Sequence, residues 1–396
     1  MFNLKTHWLL LLVAVLFAFA AFGCGEEAAD PVDDDPADDP ADDPVDEPEF
    51  EGEVLIGIMV PTTGSEAADG TDMENAALLA VEEINEAGGV MGHRVITTTG
   101  DDGCDPSMAT AAASQLVSEE VVALVGGYCS GATLPTLAIY GEAGIPFVIA
   151  ASNATSLIDE NPGWGFMINS TGLDQAATAV SKFEELGVET IGVIDSGDAY
   201  SADLKEQTII QWEEAGYEVV ADDTVQRGEV DFSAFVTTIM STQPDGVYWT
   251  GYQAEGALLI RQLREGGYEG VIMVGDGSSA QELLDLAGPD AEGVLCTGPP
   301  LTDFLPAAQN FIQRYDESFP REPGAYAALT YDAARLLFDA MERAGSFDSA
   351  EIRDALEATD DFEGLAGPIS FTDQNTLARS NFVVLEARDG RWALVE

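Results

Sequence analysis

The sequence predicts an α/β protein built on two doubly wound parallel sheets. From residue 54 onward, short aliphatic runs alternate with amphipathic segments, which is typical of parallel strands covered by helices on both faces. The alternation runs through one set of elements and then repeats in a second set. The chain has 396 residues. Because a single hydrophobic core stops growing at roughly 250 to 300 residues, this length also favours two lobes.

The first set of elements predicts four strands joined by three helices. Apolar residues at helical spacing mark the first helix, and a capping box of Thr71 and Glu74 predicts its start. Asp105 followed by Pro106 predicts the start of the second helix, and a further helix is expected over residues 134–142. The predicted strands are 54–60, 94–99, 121–126 and 146–150.

The second set repeats the pattern and is followed by a helical C-terminal part. Its predicted helices are 174–186, 201–215, 231–240, 254–265 and 280–287. Its predicted strands are 190–195, 217–221, 246–250, 271–275 and 293–297. Three more helices, over 304–318, 324–344 and 349–358, and two short strands complete the chain.

Residues 1–23 are expected to be an export signal. Lys5 precedes an apolar run from Trp8 to Ala20, which is shorter than the roughly 20 residues of a membrane-spanning helix. Cys24 then follows at the place where bacterial lipoproteins carry the lipid-modified cysteine. The pattern favours a lipid anchor on Cys24, with a plain cleaved signal peptide as the alternative.

Residues 24–53 form an acidic, proline-rich segment with PVDDDPADDPADDPVDEP at its centre. The segment has almost no apolar residues to bury, so we expect a disordered spacer that extends by self-repulsion. Such a tether holds a folded part away from a membrane surface. The alternative is a solvated acidic tail that only favours solubility.

The charge of the chain is strongly negative. Its 72 Asp and Glu outnumber its 15 Lys and Arg, which gives a net charge of −57. This excludes a nucleic-acid partner, because a phosphate backbone needs a cationic face. Residues 54–396 alone keep a net charge of −43, and the whole chain has three lysines. We therefore expect a surface adapted to high salt, where screening weakens self-repulsion.

Enzyme motifs are poorly matched, so no enzymatic activity is expected. The segment 127–131, GYCSG, places its serine one position late for the turn that presents a nucleophile in hydrolases. His93 is the one histidine outside the predicted signal, which argues against a catalytic triad and against a multi-histidine metal site. Residues 275–277, GDG, lack the third glycine of a dinucleotide fingerprint. The sequence predicts no cofactor and no metal.

Polar and aromatic side chains follow five of the predicted strands, where ligands of doubly wound sheets bind. Ser130 lies just ahead of a predicted helix, so its hydroxyl and nearby N–H groups can hold a carboxylate. Asp276 follows a buried strand and can pair with an ammonium group. The candidate site residues are Tyr128, Cys129, Ser130, Ala151, Asn153, Tyr200, Tyr252 and Asp276.

Some of these candidates have simpler interpretations. Ser130 can be a helix cap, Asp276 a solvated turn acid, and Tyr200 and Tyr252 packing residues. Asp69, near the start of the first predicted helix, is expected to be a surface acid or a loop residue rather than a ligand contact.

Seven segments in register resemble the leucine/isoleucine/valine-binding proteins, the type I periplasmic solute-binding proteins of ABC transporters. The resemblance implies two Rossmann-like lobes joined by three hinge crossovers, with lobe 1 over 54–171 plus 299–380 and lobe 2 over 172–298 plus 381–396. It implies that the C-terminal helices return to lobe 1 and the last strand to lobe 2. The segments are GIMVPTTG (57–64), AVEEINEAGGVMGHRV (80–95), DDGCDPSMA (101–109), GGYCSGATLP (126–135), STGLDQ (170–175), AEGVLCT (291–297) and GPISFTDQN (367–375).

The resemblance also implies roles for individual residues. It implies a disulfide between Cys104 and Cys129, which an oxidising compartment would favour. Cys296, in an aliphatic run, is expected to be a buried core thiol. The family pattern assigns the ligand carboxylate to Ser130 and Asn153.

The same pattern assigns the ligand ammonium to the Ala151 carbonyl and the Asp276 carboxylate, and closure over the ligand to Tyr200 and Tyr252. Three positions depart from the family. Asn153 stands where threonine is common, Asp276 where glutamate is common, and Asp69 where an aromatic residue often lines the mouth of the site. Amino-acid binding tolerates these changes, but the preferred side chain is left open.

The function implied is capture of a branched-chain or other small amino acid outside the cytoplasm, by closure of two lobes. The expected partners are this ligand, the permease subunits of an ABC transporter and a membrane reached through the lipid anchor, on the extracytoplasmic or periplasmic side. A sensory module of the same fold, or a binder of amides, urea or aromatic acids, is the alternative.

Overall fold

A computed structural model describes residues 48–395. The predicted export signal, Cys24 and most of the predicted tether lie outside the described residues. Those that are described belong to one compact unit. Within residues 48–395, no helix combines the length and the apolar character needed to cross a bilayer.

The first sheet has five parallel strands in the order β2-β1-β3-β4-β5. Strand β1 (VLIGIMV at its centre) lies between two neighbours, and its last five residues are all buried, as expected for a strand covered on both faces. The strands are β1 (Gly52–Val60), β2 (His93–Asp101), β3 (Leu124–Gly126), β4 (Phe147–Ile149) and β5 (Gly165–Met167).

The second sheet has seven strands in the order β14-β13-β10-β9-β8-β6-β7. Five of them are parallel, and the antiparallel pair β13 and β14 forms one edge. The strands are β6 (Thr190–Asp195), β7 (Glu218–Thr224), β8 (Gly246–Trp249), β9 (Val271–Val274), β10 (Leu295–Gly298), β13 (Val383–Arg388) and β14 (Arg391–Leu394). A separate two-stranded ladder pairs β11 (Phe362–Gly364) with β12 (Gly367–Ile369).

Twelve helices surround the sheets within the described residues. They are α1 (Ala67–Glu86), α2 (Pro106–Ser118), α3 (Ser130–Ala143), α4 (Ser156–Asp159), α5 (Gly172–Glu185), α6 (Ala199–Glu214), α7 (Ser233–Thr242), α8 (Gln253–Glu265), α9 (Gln281–Ala287), α10 (Gln309–Ser318), α11 (Ala327–Ala344) and α12 (Ser349–Glu357).

The predicted fold class is confirmed. The chain passes between the two sheets three times: after β5, after β10 and again before β13. The long helix α11 packs against α1 and reaches β3 and β4 of the first sheet, whereas the C-terminal strands β13 and β14 join the second sheet. The three passages fall near the predicted lobe boundaries at 171/172, 298/299 and 380/381. The division into lobes at those residues stays a prediction.

Several predicted elements have different bounds. The capping box of Thr71 and Glu74 is wrong, because α1 already begins at Ala67 and the Thr71 hydroxyl donates to the Ala67 carbonyl inside the helix. Helix α10 begins at Gln309 rather than 304, since two short 3-10 turns, the second opened by Pro306, precede it. Strand β5 was not predicted, because its residues GFM lack the aliphatic run by which the equally short strands β3 and β4 were found.

Candidate functional site

A small cavity lies where loops that follow strands of the two sheets meet. It is lined by Tyr128, Ala151, Asn153, Tyr200, Tyr252, Asp276, Gly277 and Tyr326. Its volume of about 10 Å³ is close to that needed by one water molecule. An amino acid is larger than this, so the two sides have to separate before it can enter.

Six of the eight predicted site residues line this cavity: Tyr128, Ala151, Asn153, Tyr200, Tyr252 and Asp276. Ser130 and Cys129 lie outside the lining. Tyr326 was missed by sequence reasoning. It immediately precedes α11, in the helical C-terminal part of the chain, so no strand end marks it as a site residue. Only the return of α11 to the first sheet brings it to the cavity.

Asp276 lies at the floor of the cavity, in a short 3-10 turn that follows β9. Its side chain is 2% exposed, so the interpretation as a solvated turn acid is wrong. Oδ2 accepts hydrogen bonds from Asn153 Nδ2 (3.1 Å) and Asn169 Nδ2 (3.3 Å). Burial raises the pKa of this carboxyl, although the neighbouring phenols of Tyr200 and Tyr326 favour its charged form.

Oδ1 of Asp276 is different, because it is buried and the structure gives it no hydrogen-bond partner among residues 48–395. A buried acceptor without a donor costs free energy, on the order of 1–3 kcal/mol and more for a charged group. This oxygen is therefore suited to a cationic donor from a ligand. Asn153 Nδ2 also donates to the side chain of Gln175. We use the name floor cluster for Asp276, Asn153, Asn169 and Gln175.

Four tyrosines surround the space above Asp276. The ring centroid of Tyr128 lies 5.4 Å from that of Tyr326 and 6.2 Å from that of Tyr252. The ring centroids of Tyr252 and Tyr200 are 5.5 Å apart. Burial raises the pKa of all four phenols well above 10, so they are neutral. The Gly277 N–H donates to the Tyr200 hydroxyl at 3.0 Å. A Cβ at Gly277 would lie 2.8 Å from the Tyr200 ring, so this contact requires glycine.

Ser130 is the first residue of α3, and Cys129 is the residue before the helix. The capping interpretation is wrong, because no side chain caps this helix end. The Ser130 Oγ instead accepts from the N–H groups of Asn153 and Ala154, both at 3.2 Å. Ser130 thereby fixes the loop after β4 that carries Asn153, and its own hydroxyl hydrogen stays available to an acceptor.

The predicted disulfide is confirmed. Cys104 and Cys129 are bonded with a Cα–Cα separation of 5.4 Å. The bond ties the loop after β2 to the residue that adjoins Tyr128. Cys296 is buried, as expected, and forms no disulfide within residues 48–395. Burial raises the pKa of its thiol well above the ordinary value.

Asp69 is not the surface acid that was expected. It is 6% exposed and lies in the first turn of α1, because the helix begins four residues before Thr71. Its Oδ2 accepts from Gln253 Nε2 at 2.8 Å and from the Tyr128 hydroxyl at 3.3 Å. Gln253 is the first residue of α8, beside the second sheet, so this contact joins the two sides of the cavity.

A second group of charges lies next to Asp69. Arg227 Nη2 approaches Glu66 Oε1 at 2.5 Å, and its guanidinium lies 4.2 Å from the ring centroid of Tyr252. The Gly228 N–H donates to Glu255 at 2.7 Å. Burial raises the pKa of Glu66 to about 7, although the charge of Arg227 opposes the rise. We call Glu66, Asp69, Arg227, Gln253 and Glu255 the rim cluster.

Residues 53–391 match the family described as "Periplasmic binding protein". The chain belongs to this family. The resemblance read from the seven sequence segments is confirmed. The Leu/Ile/Val-binding protein homolog 1 of Brucella suis is similar to this chain over most of the length of both proteins. The two are 29% identical over 350 residues, which cover 87% of this chain and 94% of the relative.

Solved structures show the same likeness. A leucine-binding protein from Thermotoga maritima is 32% identical with a TM-score of 0.81, covering 87% of this chain and 98% of that one. A branched-chain amino acid transporter substrate-binding protein from Streptococcus pneumoniae, in complex with isoleucine, is 26% identical with a TM-score of 0.79, covering 87% and 99%. A solute-binding protein from Rhodopseudomonas palustris in complex with benzoate shares the fold, at 19% identity and a TM-score of 0.79, covering 87% and 96%. The fold by itself therefore does not select the ligand.

Proposed function

We propose that this periplasmic binding protein captures a small amino acid, branched-chain or of similar size, and delivers it to the permease of an ABC transporter. The observation that carries the proposal is the unpartnered Oδ1 of Asp276 in a cavity lined by four tyrosines. A ligand ammonium group supplies both the charge and the donor that this oxygen lacks, and charge-assisted hydrogen bonds are the stronger kind.

The other end of the zwitterion has its own site in this proposal. The ligand carboxylate lies near Asn153 and the first turn of α3, where the Ser130 hydroxyl and the positive end of the helix dipole favour an anion. The neutral tyrosine rings then contact the side chain of the ligand. Relatives whose names or titles specify leucine, isoleucine and valine support an aliphatic side chain.

Closure is the mechanism of capture. The ligand enters an open form, and contacts from both sides, including Tyr200 and Tyr252 from the second set of elements, favour the closed form by differential affinity. The cavity of about 10 Å³ supports this, since a ligand cannot enter the closed arrangement. Two lobes with the predicted boundaries provide the moving bodies.

The site is proposed to lie on the extracytoplasmic side of a membrane, held there by a lipid on Cys24 and the acidic tether of residues 24–53. A Cys24→Ser variant should lose its membrane association and its incorporation of labelled fatty acid. A variant that keeps both would overturn the anchor without affecting the ligand proposal.

A thermal-shift screen of the standard amino acids, small amides and benzoate, at high salt, tests the ligand class. Because a ligand that binds the folded state stabilises it, an amino acid should raise the melting temperature. Leucine should act more strongly than 4-methylpentanoate, which has the same carbon skeleton without the ammonium group. If benzoate or an amide stabilises the protein and no amino acid does, the proposed function is wrong.

A further inference from the structure

Asn169 is a buried side chain that sequence reasoning did not select. It lies between β5 and α5, where the chain first passes from the first sheet to the second, and it is 0% exposed. A buried carboxamide needs partners for two donor hydrogens and an oxygen. The hydrogen-bond partners of the Asn169 carboxamide therefore indicate its role.

Its Nδ2 donates to the Ala151 carbonyl at 2.8 Å and to Asp276 Oδ2 at 3.3 Å. These acceptors come from opposite sides of the cavity, one after β4 of the first sheet and one after β9 of the second. They are also the two groups to which the family pattern assigns the ligand ammonium, and the proposed function uses one of them, Asp276. The Asn169 Oδ1 accepts from the Ser170 N–H at 3.0 Å, so the carboxamide is fully used.

We infer that Asn169 is a positioning residue for ammonium recognition, and this inference rests on the proposed function. By engaging Oδ2, it fixes the Asp276 carboxylate in the orientation that leaves Oδ1 directed to a ligand and without a partner. The neutral amide is suited to this task. A lysine or arginine in its place would neutralise Asp276 and remove the need for a ligand cation, whereas an amide orients the carboxylate and leaves its charge in place.

The position of Asn169 also links the site to the crossovers. Ser170, the next residue, exchanges hydrogen bonds with Asn381 in the segment before β13: the Asn381 N–H donates to Ser170 Oγ at 2.7 Å, and Ser170 Oγ donates to Asn381 Oδ1 at 2.6 Å. Because the Ala151 carbonyl and Asp276 lie on opposite sides, Asn169 reaches both at once only when the sides are together. The orientation of Asp276 and the closed form therefore support each other.

A double-mutant cycle tests the inference. Asn169→Leu, which has a similar shape but no donors, should weaken leucine binding by about tenfold in the wild-type background, the loss of one charge-assisted contact. In an Asp276→Asn background the same change should cost less than about twofold, since the carboxylate that Asn169 orients is gone. Isothermal calorimetry measures all four affinities, and circular dichroism checks that each variant is folded.

Asn381→Leu is the matched control, because it disturbs the adjoining crossover without touching Ala151 or Asp276. Its effect on leucine binding should be equal in the two backgrounds. If Asn169→Leu does not fold, Asn169→Ser, too short to reach either acceptor, replaces it in the cycle.

Equal losses from Asn169→Leu in both backgrounds would show a merely structural role and overturn the inference, while leaving the proposed function in place. A wild-type protein that binds no amino acid would overturn both.

Discussion

The floor cluster and the rim cluster both join the two sides of the cavity, but they surround their buried carboxylates with different partners. At the floor, Asp276 is surrounded by carboxamides and phenols, and one of its oxygens has no partner among residues 48–395. At the rim, Arg227 pairs with Glu66, and Gln253 donates to Asp69. Both clusters bury acids in the closed arrangement, yet only the rim supplies its own cation.

This difference separates two tasks. A carboxylate that neutral groups orient keeps its charge for a ligand, so the floor is complete only with a cation from outside the chain. A carboxylate paired with an arginine is already compensated, so the rim can hold the two sides together with or without a ligand. The comparison predicts that floor variants change ligand affinity, whereas rim variants change stability and its dependence on pH.

The largest expected effect comes from the disulfide between Cys104 and Cys129, because Cys129 adjoins Tyr128. Tyr128, next to Cys129, lines the cavity and also donates to Asp69 at the rim. For a loop of 25 residues, replacing Cys104 and Cys129 by serine should lower the free energy of unfolding by about 3 kcal/mol. Urea denaturation measures this loss. Reductant should destabilise the wild type and leave the double variant unchanged, and a response of the variant to reductant would contradict the assignment.

The next largest effect is expected from a substitution in the floor cluster alone. Asp276→Asn keeps the shape of the side chain and removes its charge, so leucine binding should weaken by more than about tenfold. Asp203→Asn is the matched control, because Asp203 also accepts hydrogen bonds across the cavity region, from Thr155, but does not line the cavity. Calorimetry should show a much smaller change for the control. Unchanged affinity of Asp276→Asn would remove Asp276 from the site.

A third effect concerns the rim and appears in the pH profile. Burial raises the pKa of Glu66 from 4.5 to about 7, against the charge of Arg227 and with the charges of Asp69 and Glu255. A folded state that holds this proton more tightly than the unfolded state loses stability as the pH rises from about 4.5 to 7, and the loss levels off above 7.

Glu66→Gln should remove this part of the pH dependence. Other buried acids titrate in the same range, so the informative quantity is the difference in the free energy of unfolding between wild type and variant. That difference should grow in favour of the variant between pH 4.5 and 7. A constant difference would show that Glu66 does not titrate there. Leucine affinity at a fixed pH should change less than in Asp276→Asn, as the comparison requires.

The smallest effect per site is expected from salt. Residues 54–396 carry a net charge of −43, and their acidic residues are distributed along the whole segment. Screening lowers this self-repulsion, so the midpoint of thermal unfolding should rise with added KCl into the molar range. A flat response would count against a surface adapted to high salt. Leucine affinity should respond weakly, since a zwitterion has no net charge.

Much of the fold was predictable because it is local. Aliphatic runs such as 54–60 and 190–195 became strands at nearly the predicted residues, since buried parallel strands need continuous apolar side chains. Short strands such as β5, and the true start of α1, were not predictable. The residues of β5, GFM, lack an aliphatic run, and Glu66, which precedes α1, makes no side-chain cap hydrogen bond that could have marked the start of the helix.

The site was predictable where it follows strand ends. Asp276, Tyr252 and Asn153 each lie just after a parallel strand, so the sheet rule selected them. The sheet rule did not select Tyr326, which precedes a C-terminal helix, or Asn169, which lies in a crossover. The sequence predicted a surface acid at Asp69, but Asp69 is buried and accepts a hydrogen bond from Gln253, which is 184 residues away in the chain.

The sequence by itself determined the alternation of strands and helices, the family, the pair of cysteines and the strongly acidic composition. Each of these is carried by nearby residues or by residue counts. Only the tertiary structure decided which acids are buried and which groups compensate them. A carboxylate looks the same in any sequence, and its role depends on the partners that the fold brings from distant segments: carboxamides for Asp276, arginine for Glu66 and glutamine for Asp69.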